Sequence, residues 1–412
     1  MLATNNKQRS LIGLPVLVAA LGYFVDIYDL LLFSIIRITS LKGIGVTDPD
    51  AIRNYGEKII SWQMYGLLLG GIIWGVVGDK KGRISVLFGS ILLYSLANIA
   101  NGFVHTVDQY AVVRFVAGLG LAGELGAGIT LVSELTAKEK RGIATSVVAG
   151  LGLTGAILAY FIKLNFEWRT CYFIGGGLGI ALLILRVSVF ESGMFHEVKK
   201  MKVQRGNFLM LFTTRERFKR YLLSILLGLP SWYVVGILMT FSNDFGKAMH
   251  IADPIDPAKA VMYSYVGVSI GGIVTGLVSQ KLQSRLKTLQ IFYGITALGI
   301  LLFFTIQYNG TATTMYILAW LLGFGTGFWA MFVTVGAEQF GTNLRATAAT
   351  TIPNMVRGTL PLIILLFQWL RGITGSYTTG AWIAGIIVMT ISIAASFGLK
   401  ETFHRDLNFL EE

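Results

Sequence analysis

Long apolar runs follow one another along nearly the whole chain, separated by short polar segments. A transmembrane helix needs about 20 mainly apolar residues to cross the hydrocarbon core of a bilayer. Only 14% of the 412 residues are charged, against about 25% in soluble domains. By this measure we predict an all-α membrane protein with twelve spans, at 11–38, 59–78, 84–104, 109–133, 143–162, 171–190, 220–242, 260–280, 286–307, 312–337, 346–368 and 379–398.

The composition excludes several other classes of protein. Strands of a membrane β-barrel alternate polar and apolar residues over about 10 positions, whereas these runs are continuous. The net charge of +12 comes from short Lys and Arg clusters between apolar runs, which is unlike the single basic face of a nucleic-acid-binding domain. Cys171 is the single cysteine and the four histidines fit no metal-binding spacing. We therefore expect no nucleic-acid partner, no metal and no cofactor.

The distribution of Lys and Arg predicts the orientation of the chain. If the N-terminus is cytoplasmic, 22 of these residues fall in cytoplasmic segments, 9 on the opposite side and 3 within spans. Cytoplasmic loops carry an excess of positive charge. We therefore expect both termini in the cytoplasm.

The longest polar stretch divides the chain into two halves. Residues 191–219 are predicted to form a cytoplasmic linker between an N-terminal six-helix bundle, 1–190, and a C-terminal six-helix bundle with a cytoplasmic tail, 220–412. The sequence GVVGDKKGR at 75–83 is echoed by GLVSQKLQSR at 276–285. Such internal similarity is typical of transporters built from two repeats.

A second pair of positions supports the duplication. Glu134 is followed by Arg141 after the fourth span, and Glu338 is followed by Arg345 at the same spacing after the tenth span. These pairs occupy corresponding places in the two halves. We therefore predict two pseudo-symmetric bundles of six helices.

Four motifs resemble those of the major facilitator superfamily, in matching topological positions. Gly75, Asp79, Gly82 and Arg83 reproduce the GxxxDxxGR loop between helices 2 and 3. Arg114 with the two glycines that follow resembles the RxxxGxG signature of helix 4. Trp168-Arg169 and the C-terminal ETFHRDLNFLEE also resemble family features. The resemblance covers nearly the whole chain and implies two six-helix bundles around a central cavity.

Within that family the chain resembles the metabolite:proton symporters. LGYFVDIYDLLLF at 21–33 is similar to their GNFxEWFDFxxY pattern, and GLAGELGAG at 120–128 is similar to their GGExGG. The GxxxGP signature of drug antiporters is absent from the fifth span. The resemblance implies uptake of a small metabolite together with protons.

Buried ionisable residues in spans are costly and call for an explanation. Asp26 and Asp29 stand three residues apart, on adjoining parts of one helix face. Arg114 enters helix 4 at a similar depth, so we predict an Asp29–Arg114 pair, shared with Asp26, that serves either as a proton switch or as a fixed ion pair. Glu124 is interpreted as a second proton site or substrate contact, or else as a neutral acid at a tight helix interface.

Arg357 lies midway along span 11, and spans 7 to 12 hold no acid at its depth. Because a guanidinium matches a carboxylate bidentately, we predict that Arg357 binds the substrate's carboxylate; the alternative is a pair with Asp26, Asp29 or Glu124. Nearby polar and aromatic residues are further candidates for substrate contact, although most membrane aromatics only pack or anchor. These candidates are Asn354, Trp232, Tyr233, Phe328 and Trp329.

The loop between spans 2 and 3 is predicted to form a cytoplasmic gate. In the family that it resembles, this loop helps to close the cytoplasmic side. Arg83 is expected to contact acidic groups of the next loop. The gate set is Gly75, Asp79, Gly82, Arg83, Glu134 and Arg141.

Together these patterns predict a function. We expect a proton-coupled symporter that takes up a small carboxylate-bearing metabolite, such as an organic acid, an amino acid or a betaine, by alternating access. The alternatives are an uncoupled facilitator or exchanger and a non-transporting membrane sensor. No nucleophile–base pair or cofactor loop indicates an enzyme. We expect a functional monomer in a bacterial inner membrane, whose partners are its substrate, protons and lipid.

Overall fold

The structure, a computed structural model, describes residues 14–81, 83–124, 148, 150–191, 208–306, 308, 310–403 and 409–411. Within these ranges the side chains of residues 14, 15, 79–81, 83, 84, 188–191 and 346 are not described. The described residues form helices and turns, and no strand occurs among them.

Each predicted span has a helical counterpart. We number these α1 to α12: Leu14–Gly43, Pro49–Lys81, Arg83–Asn101, Val107–Leu121, Gly155–Asn165, Trp168–Glu191, Arg215–Met239, Pro257–Leu282, Arg285–Thr305, Ala312–Glu338, Thr342–Thr374 and Tyr377–Phe397. Among the described residues, nine of these helices are long and apolar enough to cross a membrane. Helices α3, α4 and α5 are shorter in their described parts. A short helix, Ser242–Ala248, and a 3₁₀ turn, Phe208–Phe212, lie between spans.

Two pairs of helices pack alike in the two halves of the chain. In the N-terminal half, Gly66 and Gly70 of α2 lie directly on main-chain oxygens of α4. In the C-terminal half, Gly267 and Gly271 of α8 lie on main-chain oxygens of α10 in the same way. Small residues four apart let membrane helices approach closely. The repeated spacing in α2 and α8 therefore gives both lobes the same central helix pair.

Three helices of the C-terminal half, α7, α10 and α11, are interrupted along their length. Helix α7 ends its first segment at Leu226, resumes at Leu229–Tyr233 and continues as a π-helix over Val234–Met239. Helix α11 breaks between Thr342–Gly358 and Leu360–Thr374. Helix α10 contains a 3₁₀ turn. Turns of π-helix, such as the one in α7, occur frequently at functional sites.

The loops define two ends of the molecule. The α1–α2 face holds the described residues of the loops that follow the odd-numbered helices. The α2–α3 face holds the α8–α9 and α10–α11 loops and residues 409–411. Most of the predicted linker lies outside the described residues. Helix α7 begins at Arg215, within the range predicted for that linker.

Helices α2 and α11 connect the two halves along their length. Gly71 and Gly75 of α2 face Asn354 and Thr351 of α11, and a Cβ atom placed on Gly75 would lie 3.3 Å from Thr351 Cγ2. Gly75 belongs to the predicted gate. Its described contact is with the opposite lobe.

Candidate functional site

Helix α1 carries the buried acids into the centre of the protein. Asp26 and Asp29 are both 0% exposed. Gly22 lies one turn before Asp26, and the three positions span roughly 10 Å at 1.5 Å per residue. Each position faces a different arginine, so α1 is lined by three charged pairs or near-pairs.

Asp26 faces Arg357 across the boundary between the lobes. Arg357 Nη2 lies 3.8 Å from Asp26 Oδ2, and both side chains are buried. Neither Asp26 oxygen has a hydrogen-bond partner in the part of the chain that the structure describes. Arg357 Nη1 donates to Asn354 Oδ1 at 3.4 Å. This is a loose ion pair, without a hydrogen bond between the two groups.

Asp29 lies beside Arg114, but the hydrogen bond between the two residues uses the main chain. Arg114 Nη2 donates to the carbonyl oxygen of Asp29 at 3.0 Å. The rest of the guanidinium donates to Gln63 Oε1 at 3.3 Å and to Asn98 Oδ1 at 3.2 Å. The predicted carboxylate pair between Asp29 and Arg114 is not formed in this conformation, although the two groups are adjacent.

Glu124 forms a close pair within the N-terminal lobe. Both terminal nitrogens of Arg186 donate to its carboxylate, Nη1 to Oε2 at 3.0 Å and Nη2 to Oε1. Both side chains are about 2% exposed or less. A Cβ atom on Gly22 would collide with both groups, so a glycine is needed there for α1 to cover the pair. The sequence analysis did not assign Arg186 a partner.

A small cavity opens between the lobes next to Arg357. Its volume is about 20 Å³, which is room for about one water molecule. The lobes must therefore separate before a metabolite can enter. The residues around it are Tyr23, Ile27, Leu30, Leu153, Ser231, Trp232, Val235, Tyr265, Val268, Thr326, Trp329 and Arg357.

Two of the predicted aromatic residues line this cavity. The rings of Trp232 and Trp329 meet edge to face, with centroids 6.2 Å apart. Arg357 Cζ lies 5.8 Å from the Trp329 ring centroid. Tyr23 and Tyr265 complete the aromatic wall. The sequence analysis missed these two tyrosines, because their spacing resembles that of ordinary core residues.

The other predicted substrate contacts lie elsewhere among the described residues. Tyr233 OH donates to the Ala381 carbonyl at 2.6 Å, and Phe328 packs edge to face on Tyr293. Asn354 Nδ2 donates to the Ala122 carbonyl at 2.7 Å, across the lobe boundary. In this conformation none of the three side chains lines the cavity.

Most of the predicted gate cannot be placed. Gly82, Glu134 and Arg141 lie outside the described residues, as do the side chains of Asp79 and Arg83.

The corresponding positions of the second half are described. There Arg285 Nη1 lies 2.9 Å from Glu338 Oε2. This pair joins the start of α9 to the end of α10, as an Arg83–Glu134 pair would join the matching elements of the first half.

Ionic contacts between the lobes close the α1–α2 face. Arg37 Nη2 donates to Asn243 Oδ1 at 2.8 Å and to the Thr240 carbonyl at 3.1 Å, and lies 3.6 Å from Asp244 Oδ2. The Arg37 guanidinium also stacks over Phe241, 4.4 Å from its ring centroid. These contacts hold the end of α1 to the opposite lobe.

Three more contacts connect the lobes at this face. Glu57 Oε2 accepts from Gln368 Nε2 at 2.5 Å, and Arg371 Nη1 lies 3.6 Å from Glu57 Oε1. Lys163 Nζ donates to Asp256 Oδ2 at 2.8 Å. We call these contacts, together with those of Arg37, the clasp. The sequence offered no signal for it, because its members are single charges near span ends.

Paired helical lobes with a small cavity and buried charged groups at their boundary are typical of membrane transporters. The family model of the Major Facilitator Superfamily matches residues 19–364, most of the chain. The chain belongs to this family, so it is an integral multi-pass membrane transport protein and not an enzyme. This confirms the predicted family and fold class.

Several bacterial transporters are similar in sequence. The niacin transporter NiaP of Acinetobacter baylyi is 27% identical over 81% of this chain and 81% of that protein. A benzoate transport protein of the same species is 23% identical, over 81% and 78% of the two chains. A gentisate transporter of Corynebacterium glutamicum is 23% identical, over 94% and 90%.

A solved structure has the same fold. The proton:xylose symporter XylE superposes with a TM-score of 0.72 over 95% of this chain and 97% of that one, at 16% sequence identity.

Proposed function

We propose that this transporter takes up a small aromatic carboxylate together with a proton. The observation that carries the proposal is the loose Asp26–Arg357 pair at the edge of a cavity walled by aromatic rings. Niacin, benzoate and gentisate, which the names of the similar proteins give as substrates, each combine one aromatic ring with one carboxylate. An anion for Arg357 and a flat apolar body for the Trp and Tyr walls match that chemistry.

The proposed coupling follows from competition for one guanidinium. When the substrate carboxylate binds Arg357, Asp26 loses its cation. An isolated carboxylate in a desolvated site is costly and is neutralised by taking up a proton. Substrate and proton then occupy the closed cavity together, and the net charge of the site is unchanged. When both leave, Asp26 returns to Arg357.

We propose that Asp29 and Arg114 assist this exchange. Their side chains adjoin without a direct carboxylate bond, so a small movement of α1 would form the predicted pair or separate it further. Asp29 is therefore a second candidate for the carried proton.

We further propose that the α1–α2 face is extracellular and both termini cytoplasmic, in agreement with the Lys and Arg distribution. The clasp then closes the outside, and the loop with Gly75, Asp79, Gly82 and Arg83 closes the inside together with Glu134 and Arg141. The Arg285–Glu338 pair of the second half supports an Arg83–Glu134 contact by internal symmetry. One chain contains the whole pathway, so the unit of function is a monomer in the bacterial inner membrane.

Uptake into proteoliposomes tests the coupling. An inward proton gradient should drive accumulation of benzoate or nicotinate, and a protonophore should abolish it. Asp26→Asn should lose accumulation yet retain exchange of internal for external substrate, because its side chain cannot carry the proton. Asp108→Asn, at an exposed pair with Lys58, is the matched control. Wild-type accumulation that ignores the gradient would instead establish a facilitator or exchanger.

Binding measurements test the anion site. Wild type should bind benzoate more tightly than the neutral benzamide, by about 10- to 100-fold for a hydrogen bond to a charged group. Arg357→Gln should abolish that preference. This change leaves the Asp26 carboxylate without its partner. The double variant Asp26→Asn with Arg357→Gln removes both charges of the pair and serves as the control. Equal loss of both ligands would remove the carboxylate role from Arg357.

A further inference from the structure

Two neighbouring polar atoms of α7 lack partners at the cavity wall. Ser231 and Trp232 both line the cavity and are 8% and 4% exposed. Neither Ser231 Oγ nor Trp232 Nε1 has a hydrogen-bond partner among the residues that the structure describes. Buried polar side-chain atoms are nearly always hydrogen-bonded, so these two need an explanation.

Another hydroxyl of the cavity wall is satisfied within the protein. Thr326 donates from Oγ1 to the Leu322 carbonyl at 3.0 Å. A helical Ser commonly bonds in this way to a carbonyl of the preceding turn, and Ser231 does not. Tyr23 OH and Arg357 Nε also lack partners among the described residues, so the unpartnered atoms of Ser231 and Trp232 share one cavity with two more.

The break in α7 places these two residues. Helix α7 stops at Leu226 and restarts at Leu229, with Pro230 in its first turn, and becomes π-helical from Val234. Proline has no N–H and fits the first turn of a helix. Ser231 and Trp232 stand in the short segment between two irregular regions, where a regular helix would direct them differently.

Trp329 lies next to both the charged group and the unpartnered indole of the cavity. Arg357 lies 5.8 Å from the ring of Trp329, and the Trp329 ring lies 6.2 Å from that of Trp232. All three side chains line the cavity together with Ser231. A substrate whose carboxylate binds Arg357 and whose ring packs on Trp329 would lie beside Trp232 and Ser231.

We propose that Trp232 Nε1 and Ser231 Oγ recognise a second polar atom on the substrate ring. The preferred substrates are then aromatic carboxylates with a hydrogen-bond acceptor on the ring, a heteroaromatic nitrogen or a hydroxyl oxygen, rather than unsubstituted benzoate. Indole N–H is a donor only, whereas the serine hydroxyl both donates and accepts. This inference rests on the proposed function and defines its substrate class.

A ligand series on the purified full-length protein tests it. Nicotinate, 3-hydroxybenzoate and benzoate share the carboxylate and the ring size and differ in the ring acceptor. Wild type should bind the first two at least about tenfold more tightly than benzoate, because an unpaired buried donor disfavours the analogue that cannot bond to it. Trp232→Phe should bring this ratio close to one, because the variant keeps an aromatic ring in the wall and loses the N–H donor. Ser231→Ala should reduce the ratio partly.

Thr326→Val is the matched control, because it removes a cavity hydroxyl that is already bonded within its own helix. The preference for ring acceptors should persist in this variant. Thermal unfolding of each variant checks that the fold is retained. If Trp232→Phe does not fold, the smaller substitution Ser231→Ala provides the test.

The possible results separate the two proposals. Equal affinity of wild type for all three ligands, or an unchanged ratio in both α7 variants, overturns the inference. If benzoate still binds and still depends on Arg357, the proposed function stands without it. If none of the three ligands binds, the proposed function fails and the inference fails with it.

Discussion

The three buried acids near α1 differ in what holds them. Glu124 is paired with Arg186 of its own lobe, whereas Asp26 faces Arg357 of the other lobe. A pair within one lobe stays intact when the lobes rock, and a pair between lobes is broken. We therefore interpret Glu124 as a structural partner of Arg186 and Asp26 as the acid whose surroundings change during transport.

Replacing Glu124 by Gln should destabilise the protein and preserve coupling. Breaking a buried ion pair by removing one partner costs about 3–5 kcal/mol, because the other charge is left buried and unpaired. Adding Arg186→Met should recover part of the lost thermal stability. The measurements are the melting temperature and gradient-driven uptake. An unchanged melting temperature with lost accumulation would assign Glu124 to proton transfer instead.

At the scale of elements, glycines allow neighbouring membrane helices to pack closely. A Cβ atom on Gly271 would collide with the Phe324 carbonyl of α10, whereas one on Gly276 of the same helix meets no atom within 4 Å. The two glycines are only five residues apart. They therefore separate the effect of helix contact from that of helix propensity.

Gly271→Ala should lower stability by about 1–3 kcal/mol, because α8 and α10 must move apart. Gly276→Ala should be neutral or stabilising by up to about 1 kcal/mol, since alanine is the better helix former. Thermal unfolding in one detergent gives both values. Equal effects of the two substitutions would contradict the packing argument.

Residues 409–411 of the C-terminal tail are held to the α2–α3 face by the Glu411 carboxylate and by main-chain hydrogen bonds with Thr342 and Asn343. Arg220 donates to Glu411 Oε1 and Oε2 at 2.9 and 3.0 Å, and the Gly341 N–H donates to Oε1 at 3.3 Å. Burial alone would raise the pKa of Glu411, but these hydrogen bonds and the charges of Arg220 and Arg217 hold it below its ordinary value. The ionised form is therefore favoured by the folded tail.

This tail contact should weaken in acid. A carboxyl group whose folded pKa is lowered contributes stability above its unfolded pKa, and that contribution is lost as the pH falls through the folded value. Protection of the Thr342 amide, which donates to the Phe409 carbonyl at 2.8 Å, should drop below about pH 4. Hydrogen exchange corrected for intrinsic rates measures it. Glu411→Gln should show low protection already at neutral pH, and equal protection in both proteins would refute the role of this carboxylate.

At the scale of the whole molecule, the clasp holds the lobes together at the α1–α2 face. Arg37 contacts Thr240, Asn243 and Asp244, three residues of one short stretch of the opposite lobe. The small cavity and the clasp belong to the same closed arrangement. Loss of the clasp should therefore shift the population towards a state open at this face.

Arg37→Met should increase the distance between the ends of α2 and α11 at that face. The methionine side chain keeps the packing volume but lacks the hydrogen-bond donors of the guanidinium. Spin labels on introduced cysteines report the distance, and Cys171, the single native cysteine, is buried. Arg169→Met, whose guanidinium donates to Gly102 of its own lobe at 2.7 Å, is the control. An identical distance distribution in wild type and Arg37→Met would exclude the clasp from gating.

Span positions, the repeat and the family were predictable because local composition determines them. A run of apolar residues must be helical in a bilayer, since every main-chain polar group needs a partner there. Charge excess and glycine spacing are equally local. Asp26 and Arg357 were recognisable as candidates for the same reason, because an ionisable residue in a span requires an explanation wherever it occurs.

Which charges meet was decided only by the tertiary structure. Arg186 pairs with Glu124 from 62 residues away, and Arg37 reaches Asn243 over 206 residues. No sequence period indicates such partners, because they depend on how whole lobes dock. Ser231 lines the cavity, whereas Tyr233 and Phe328 do not. These orientations likewise depend on the helix breaks and not on residue type. The sequence by itself determined which residues must be inside the membrane, and the packing of the lobes determined what each of them faces.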